Sequence, residues 1–120
     1  MNVEMEVIED VRGKIHKTPW GVNVLFSKAG SWRGGDYHPN DQHNIVLKGK
    51  VAVTVQQGLS EEDLLYRGLH GANAYIHTEP GFPHLFHFLE DTVMIEWWSG
   101  PFSCTYYPPF RKIVEESMKA

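Results

Sequence analysis

The stretch Gly35-Asp36-Tyr37-His38-Pro39-Asn40-Asp41-Gln42-His43-Asn44-Ile45-Val46-Leu47-Lys48-Gly49-Lys50-Val51-Ala52-Val53-Thr54-Val55 decides the fold class. Its second half holds two apolar, β-branched runs, Ile45 to Leu47 and Val51 to Val55, separated by Lys48-Gly49-Lys50. That pattern reads as strand, tight turn, strand, a hairpin. Its first half gathers ionisable and amide side chains. Asp36 and His38 are two apart, so on an extended chain both project to one face while Tyr37 projects to the other. Pro39 then bends the chain, which can bring either Gln42 or His43 back toward the same pocket. The spacing leaves both open.

The same period of two extends outward from this segment. Val3, Met5 and Val7 alternate with Glu4 and Glu6, the pattern of a half-exposed edge strand. After the turn residues Thr18-Pro19-Trp20-Gly21, the apolar positions Val22, Val24 and Phe26 alternate up to Lys28-Ala29-Gly30. Gly34-Gly35 marks a place for unusual backbone angles or a bulge. Downstream, Ser60-Glu61-Glu62-Asp63 reads as a helical turn at most, and Asn73 to Thr78 as a short strand. A rigid Glu79-Pro80-Gly81-Phe82-Pro83 turn leads into a strand from His84 to Leu89, with His84, Phe86 and Phe88 on one face and His87 on the other. Thr92 to Trp98 is a further strand, in which adjacent Trp97 and Trp98 face opposite ways. Thr105-Tyr106-Tyr107-Pro108-Pro109 is not regular helix, and about 110–118 is an amphipathic helix carrying Phe110, Ile113, Val114 and Met118. Some eight short strands with Gly and Pro turns give an all-β jelly-roll barrel with a short C-terminal helix.

Composition narrows the function. A chain of 120 residues with no repeats and no linker is one domain, residues 1–120. A formal charge of −4 with scattered Lys and Arg excludes a phosphate-backbone binder, so no nucleic acid partner is expected. Cys104 is the single cysteine, which forbids an intramolecular disulfide and points to a reducing, cytoplasmic setting. The acidic start lacks the pattern of a signal peptide, and no apolar run reaches the roughly 18 residues of a membrane span. No membrane association is expected. The seven histidines are the chemically conspicuous feature. The alternating N-terminal strand and the aromatic strand around Trp97 offer edges and faces whose covering predicts a homodimer.

Gly35-Asp36-x-His38-(x3)-Gln42-(x6)-Gly49 (about 35–49), followed by Pro80-Gly81-Phe82-Pro83-His84-(x3)-Phe88 (about 80–88), resembles the two motifs of the cupin superfamily of RmlC-like jelly rolls. His38 matches the second histidine of the first motif, Gly49 its closing glycine and His84 the histidine of the second. Asp36 stands where the family has its first histidine, Gln42 where it has glutamate, and Phe88 where asparagine is common. Within the superfamily, Arg33-Gly34-Gly35-Asp36-Tyr37-His38, Gln42 and the Tyr- and Pro-rich tail are similar to nucleotide-sugar 3,4-ketoisomerases. That likeness implies proton transfer beside a sugar carbonyl without a metal, His38 being the base and Asp36 its orienting partner.

Three functions follow as expectations. One is a sugar-nucleotide isomerase or epimerase using His38 and Asp36, with Arg33, Tyr37, Gln42 and Trp97 binding substrate. In the second, Asp36, His38 and His84, with Gln42 as a weak fourth ligand and His43 as alternate, hold a divalent iron, manganese, nickel or zinc ion in an oxygenase-type site. The third is a binding module without catalysis. All three take a small polar ligand in the barrel mouth, a nucleotide sugar in the first.

Overall fold

The computed structural model describes residues 4–119 and contains eleven strands and one helix. The strands are β1 (Glu6–Asp10), β2 (Gly13–Lys17), β3 (Asn23–Ser27), β4 (Trp32–Tyr37), β5 (Gln42–Lys48), β6 (Lys50–Gln56), β7 (Leu65–Gly71), β8 (Tyr75–Thr78), β9 (His84–Phe88), β10 (Thr92–Trp98) and β11 (Thr105–Tyr106), and the helix is α1 (Pro108–Ser117). They form two antiparallel sheets, one in the order β1-β2-β3-β10-β5-β8 and the other β11-β4-β9-β6-β7. This is the expected jelly-roll class, and β1 is an edge strand, but it begins at Glu6, so Glu4 and Met5 of the alternation precede it, and Glu6 to Glu9 are exposed rather than half-buried. Val3, the first residue of that alternation, lies outside the described residues.

The inner face of each central strand changes character along its length. On β5 it runs Gln42, Asn44, Val46; on β9 His84, Phe86, Phe88; on β10 Met94, Glu96, Trp98. Aligned by register, the apolar ends meet in one core of Leu25, Val46, Val51, Val53, Phe86, Phe88 and Met94. The polar ends meet at the opposite mouth. Core burial thus stabilises the sandwich at one end and leaves the other to hold side chains that a core excludes.

Two expectations need correcting. The segment 45–55 is not a hairpin: β5 pairs with β10 and β8, whereas β6 pairs with β9 and β7. Gly49 alone joins them, at φ +100°, with its α-carbon face against Asp91 and Thr92, and carries the chain from one sheet to the other. A one-residue link is too short to return a strand beside itself. The helix also begins earlier than 110, because prolines are tolerated in the first turn, where the missing N–H has no helical partner. Pro108 and Pro109 occupy that turn after the Tyr107 cap. Ser60 to Asp63 forms a turn closed by a hydrogen bond from Asp63 N to Ser60 O, 2.9 Å. Among the described residues no helix is long and apolar enough to cross a membrane.

Candidate functional site

Strand β4 supplies the first residues of the site through a bulge. Arg33 and Asp36 are three apart and on a regular strand would face opposite sides. Pairing with β9 shifts register between Gly34 and Asp36, where Gly34 and Gly35 take φ +94° and +77°, and both side chains turn into the mouth. A Cβ at residue 34 would sit 2.9 Å from the carbonyl oxygen of His84, so only glycine lets the two strands approach. Asp36 and His84 are direct cross-strand partners. The Pro80-Gly81 turn docks beside them, Gly81 N donating to His38 O at 2.9 Å.

Three atoms converge there. Asp36 Oδ1 lies 3.1 Å from His84 Nε2 and 3.8 Å from His38 Nε2. The one ligand atom from each residue lies within 4.8 Å of the other two. Both imidazoles are fixed from behind: His38 Nδ1 donates to Ser103 O at 2.9 Å and His84 Nδ1 to Phe82 O at 3.1 Å. A carbonyl only accepts, so each Nδ1 carries a proton; His84 Nε2 donates a second proton to Asp36 Oδ1, and His38 Nε2 faces the same carboxylate. Both rings are almost wholly buried.

Electrostatics divides these groups. Burial raises the Asp36 carboxyl, but the hydrogen bond and charge of His84, with His38 and Arg111, outweigh it and hold the group below the usual carboxylate range. Burial pushes the His84 imidazolium down, and the bond to Asp36 more than reverses that. His38 stays below its ordinary value because burial exceeds the pull of Asp36. Asp36 therefore serves His84 more closely than His38, whose orientation comes from the Ser103 carbonyl. Two Nε2 atoms and a carboxylate facing one point suit a cation there: the proton that His84 shares with Asp36, or a metal ion that displaces it. Metal–nitrogen bonds of about 2.1 Å set ligand atoms on one ion roughly 3–4 Å apart, so the set fits with small side-chain adjustment.

The cluster opens on a cavity of about 300 Å³ whose walls include Arg33, Gln42, Glu96, Trp98, Phe102 and Arg111. Arg33 is 5% exposed, its Nε donates to Ser27 Oγ at 2.8 Å, and its Nη2 has no partner among the described residues. Burial, with the charge of Arg12, pushes the Arg33 guanidinium down to about 10. Gln42, not His43, faces inward: its Nε2 donates to Asn44 Oδ1 at 2.9 Å and its Oε1 accepts the Trp98 indole N–H at 3.2 Å. Both ends of that amide are engaged, which makes Gln42 a brace for Trp98.

His43, Trp97 and Tyr37 are not on the cavity wall. Trp97 and His43 are register partners on the outer face, stacked at 5.2 Å between ring centres, and His43 in turn stacks on His77 at 5.5 Å. Strand alternation gives the inward place to Trp98, which meets His38 edge-on at 5.5 Å. Tyr37 lies across the strand from Asp36 and pairs with Thr105. Cys104 lines the mouth, and burial, followed by the Asp36 charge, pushes its thiol up, away from a nucleophilic thiolate.

Sequence reading passed over Glu96 and Arg111. Glu96 shares parity with Met94 and Trp98, and that parity is the signal that places it inside. Burial pushes its carboxyl up to about 7, against the pull of His84. The folded protein holds this proton to about pH 7, whereas the unfolded chain releases it near 4.5, so stability falls as pH rises through that window. Glu96→Gln is expected to raise stability at pH 8 by on the order of 1–3 kcal/mol and to leave it unchanged below pH 5. Urea melts of both proteins at the two pH values check this.

No family model matches the sequence, and no curated protein matches it. Solved structures do resemble it. The capsular polysaccharide assembling protein CapF from Staphylococcus aureus is 23% identical with a TM-score of 0.70, over 85% of this chain and 30% of that one. Oxalate decarboxylase from Bacillus subtilis is 16% identical at 0.69, over 88% and 33%. The Drosophila melanogaster CENP-C cupin domain is 13% identical at 0.63, over 80% and 76%. The chain thus spans about a third of the length of the first two. Those likenesses, with the two-sheet topology and a polar mouth opposite an apolar core, show that this chain has the cupin fold.

Proposed function

We propose that this chain binds a small anionic metabolite at a divalent transition-metal centre held by Asp36, His38 and His84. The observation that carries the reading is the convergence of Asp36 Oδ1 with two Nε2 atoms whose rings already spend their Nδ1 protons on main-chain carbonyls. Iron, manganese, nickel or zinc, when bound, supplies Lewis acidity and open coordination positions. The remaining work belongs to the chain. Arg12, Lys17, Arg33 and Arg111 line the cavity against the carboxylates of Asp36 and Glu96, a cationic lining in a chain of net charge −4. The unpartnered Arg33 Nη2 meets an oxygen of the anion, a task suited to a planar guanidinium. Trp98 and Phe102 keep water from the centre, and Glu96 holds or releases a proton near neutral pH.

Thermal melts of tag-free protein with each of the four metals test this. A hundredfold excess over Kd is expected to add about 3 kcal/mol. No shift with any of them overturns the reading.

A second reading has a specific observation in its favour. His38, held below its ordinary value by burial, and Glu96, pushed up to about 7, face one cavity as the base and acid that a sugar-nucleotide isomerase or epimerase needs beside a carbonyl. CapF, similar in fold, is described as assembling capsular polysaccharide. Solvent deuterium entering a nucleotide sugar in the presence of a chelator, and lost in His38→Ala, supports it. A panel of nucleotide sugars with no exchange and no melting shift removes it. A homodimer and a cytoplasmic setting belong to the proposal too, and a solution mass of one subunit would remove the first.

A further inference from the structure

Beside the cavity lies a second cleft of about 530 Å³ that none of the site residues above explains. Its walls are aromatic: Trp20, Trp97, Trp98 and Phe102. Lys17 is the one charged side chain among the described residues that line it. Lys17, Asn23, Trp98 and Phe102 also line the inner cavity, so the two spaces share a wall. That wall is continuous with the centre, since Trp98 and Phe102 lie 4.6 Å apart and the Phe102 ring is 5.6 Å from His38.

Trp20 is the unusual member. It is 76% exposed at the tip of the β2–β3 hairpin, where an indole gains nothing from the core. Yet the tip is held firmly: Thr18 N and Thr18 Oγ1 both donate to Val22 O, at 3.0 and 2.7 Å, and Val22 N donates to Thr18 Oγ1 at 3.3 Å. Phe102 is likewise 58% exposed. Exposed rings on a fixed support, next to a cation and continuous with a polar cavity, form a stacking surface for the flat face of another ring.

We propose that this cleft is the outer half of the ligand site and takes a ring with an apolar face, pyranose or aryl, joined to an anionic group that Lys17 meets where cleft and cavity adjoin. The proposal rests on the reading of the inner cavity as the anion-binding, reacting end. It enlarges the ligand from a small anion to a ring-bearing one. Tyr106, over whose ring the Arg111 guanidinium sits at 4.3 Å, lines the inner cavity but not the cleft, so the stacking task falls to Trp20 and Phe102.

Calorimetric titration with inorganic phosphate, glucose 1-phosphate and phenyl phosphate tests it, on wild type, Trp20→Ala, Lys17→Gln and the control Trp32→Ala, whose ring stacks on His87 on β9. At least one ring-bearing phosphate is expected to bind about tenfold more tightly than inorganic phosphate, and the tighter of the two rings identifies the class. Trp20→Ala removes that advantage without weakening inorganic phosphate, Lys17→Gln weakens all three, and Trp32→Ala changes none. Equal affinity for all three anions, no binding of any, or a ring advantage that survives Trp20→Ala overturns the proposal. Uptake of iron, manganese, nickel and zinc measured on the same samples separates the two readings: ring preference without uptake of any of the four refutes the metal centre and upholds the cleft, and metal uptake without ring preference does the reverse.

Discussion

Asp36→Asn is expected to lower the affinity for divalent metal by at least about a hundredfold while leaving the protein folded. The amide keeps the size of the carboxylate but removes the negative charge that faces both Nε2 atoms, at 3.1 and 3.8 Å. Loss of a partner outside the ligand set commonly costs 10–100-fold, and a ligand itself costs more. The same change releases His84, whose imidazolium is stabilised chiefly by Asp36 against burial, so its titration returns below the ordinary value. Competition with a chelating dye measures the first effect, and melting in a chelator shows that the fold is intact. Unchanged affinity in Asp36→Asn would mean that the metal, if bound, sits elsewhere.

Gly35→Ala is expected to destabilise the protein by about 2–4 kcal/mol and to loosen the helix that walls the cavity. Two effects combine. The backbone at Gly35 has φ +77°, which side chains disfavour, and a Cβ there would sit 2.6 Å from Arg111 Cα and 2.8 Å from its N. Those are main-chain atoms of α1 and have no rotamer to escape by. The helix would have to retreat, straining the bond from Tyr107 N to Gly35 O at 2.8 Å and that from Arg111 Nη1 to Gly34 O at 3.0 Å. Gly30→Ala isolates the first effect, since its φ is +86° but nothing lies within 4 Å of its Cβ position. Its cost is about 1 kcal/mol, so a melting point roughly 10 °C lower in Gly35→Ala than in Gly30→Ala measures the helix contact. Equal melting points for the two variants would show that α1 does not bear on the bulge.

What the sequence disclosed followed the physics of local pattern. Asp36, His38 and His84 were legible because strand parity puts the first two on one face and a Pro-Gly turn fixes the third. The Gly34-Gly35 bulge was legible as glycine chemistry, although that it turns both Arg33 and Asp36 inward became visible only with the β9 register. Apolar runs flanking Lys48-Gly49-Lys50 look the same whether they pair with each other or with strands distant in sequence, and here they pair with distant ones. Parity along Thr92 to Trp98 says which residues share a face but not which face is inner, and so Trp97 was preferred where Trp98 and Glu96 turn in. Trp20 read as a turn residue, because nothing local tells an exposed indole that closes a cleft from one that merely punctuates a hairpin.

The central claim is that two Nε2 atoms and one carboxylate share a cation. Nitrogen-15 spectra of the histidine rings, recorded as zinc is added to tag-free protein, test it most directly. One equivalent is expected to shift Nε2 of His38 and of His84, to leave their Nδ1 atoms protonated, and to leave the outer-face rings of His43 and His77 unmoved. Saturating zinc with no change at His38 and His84, or a change confined to the outer face, would contradict it.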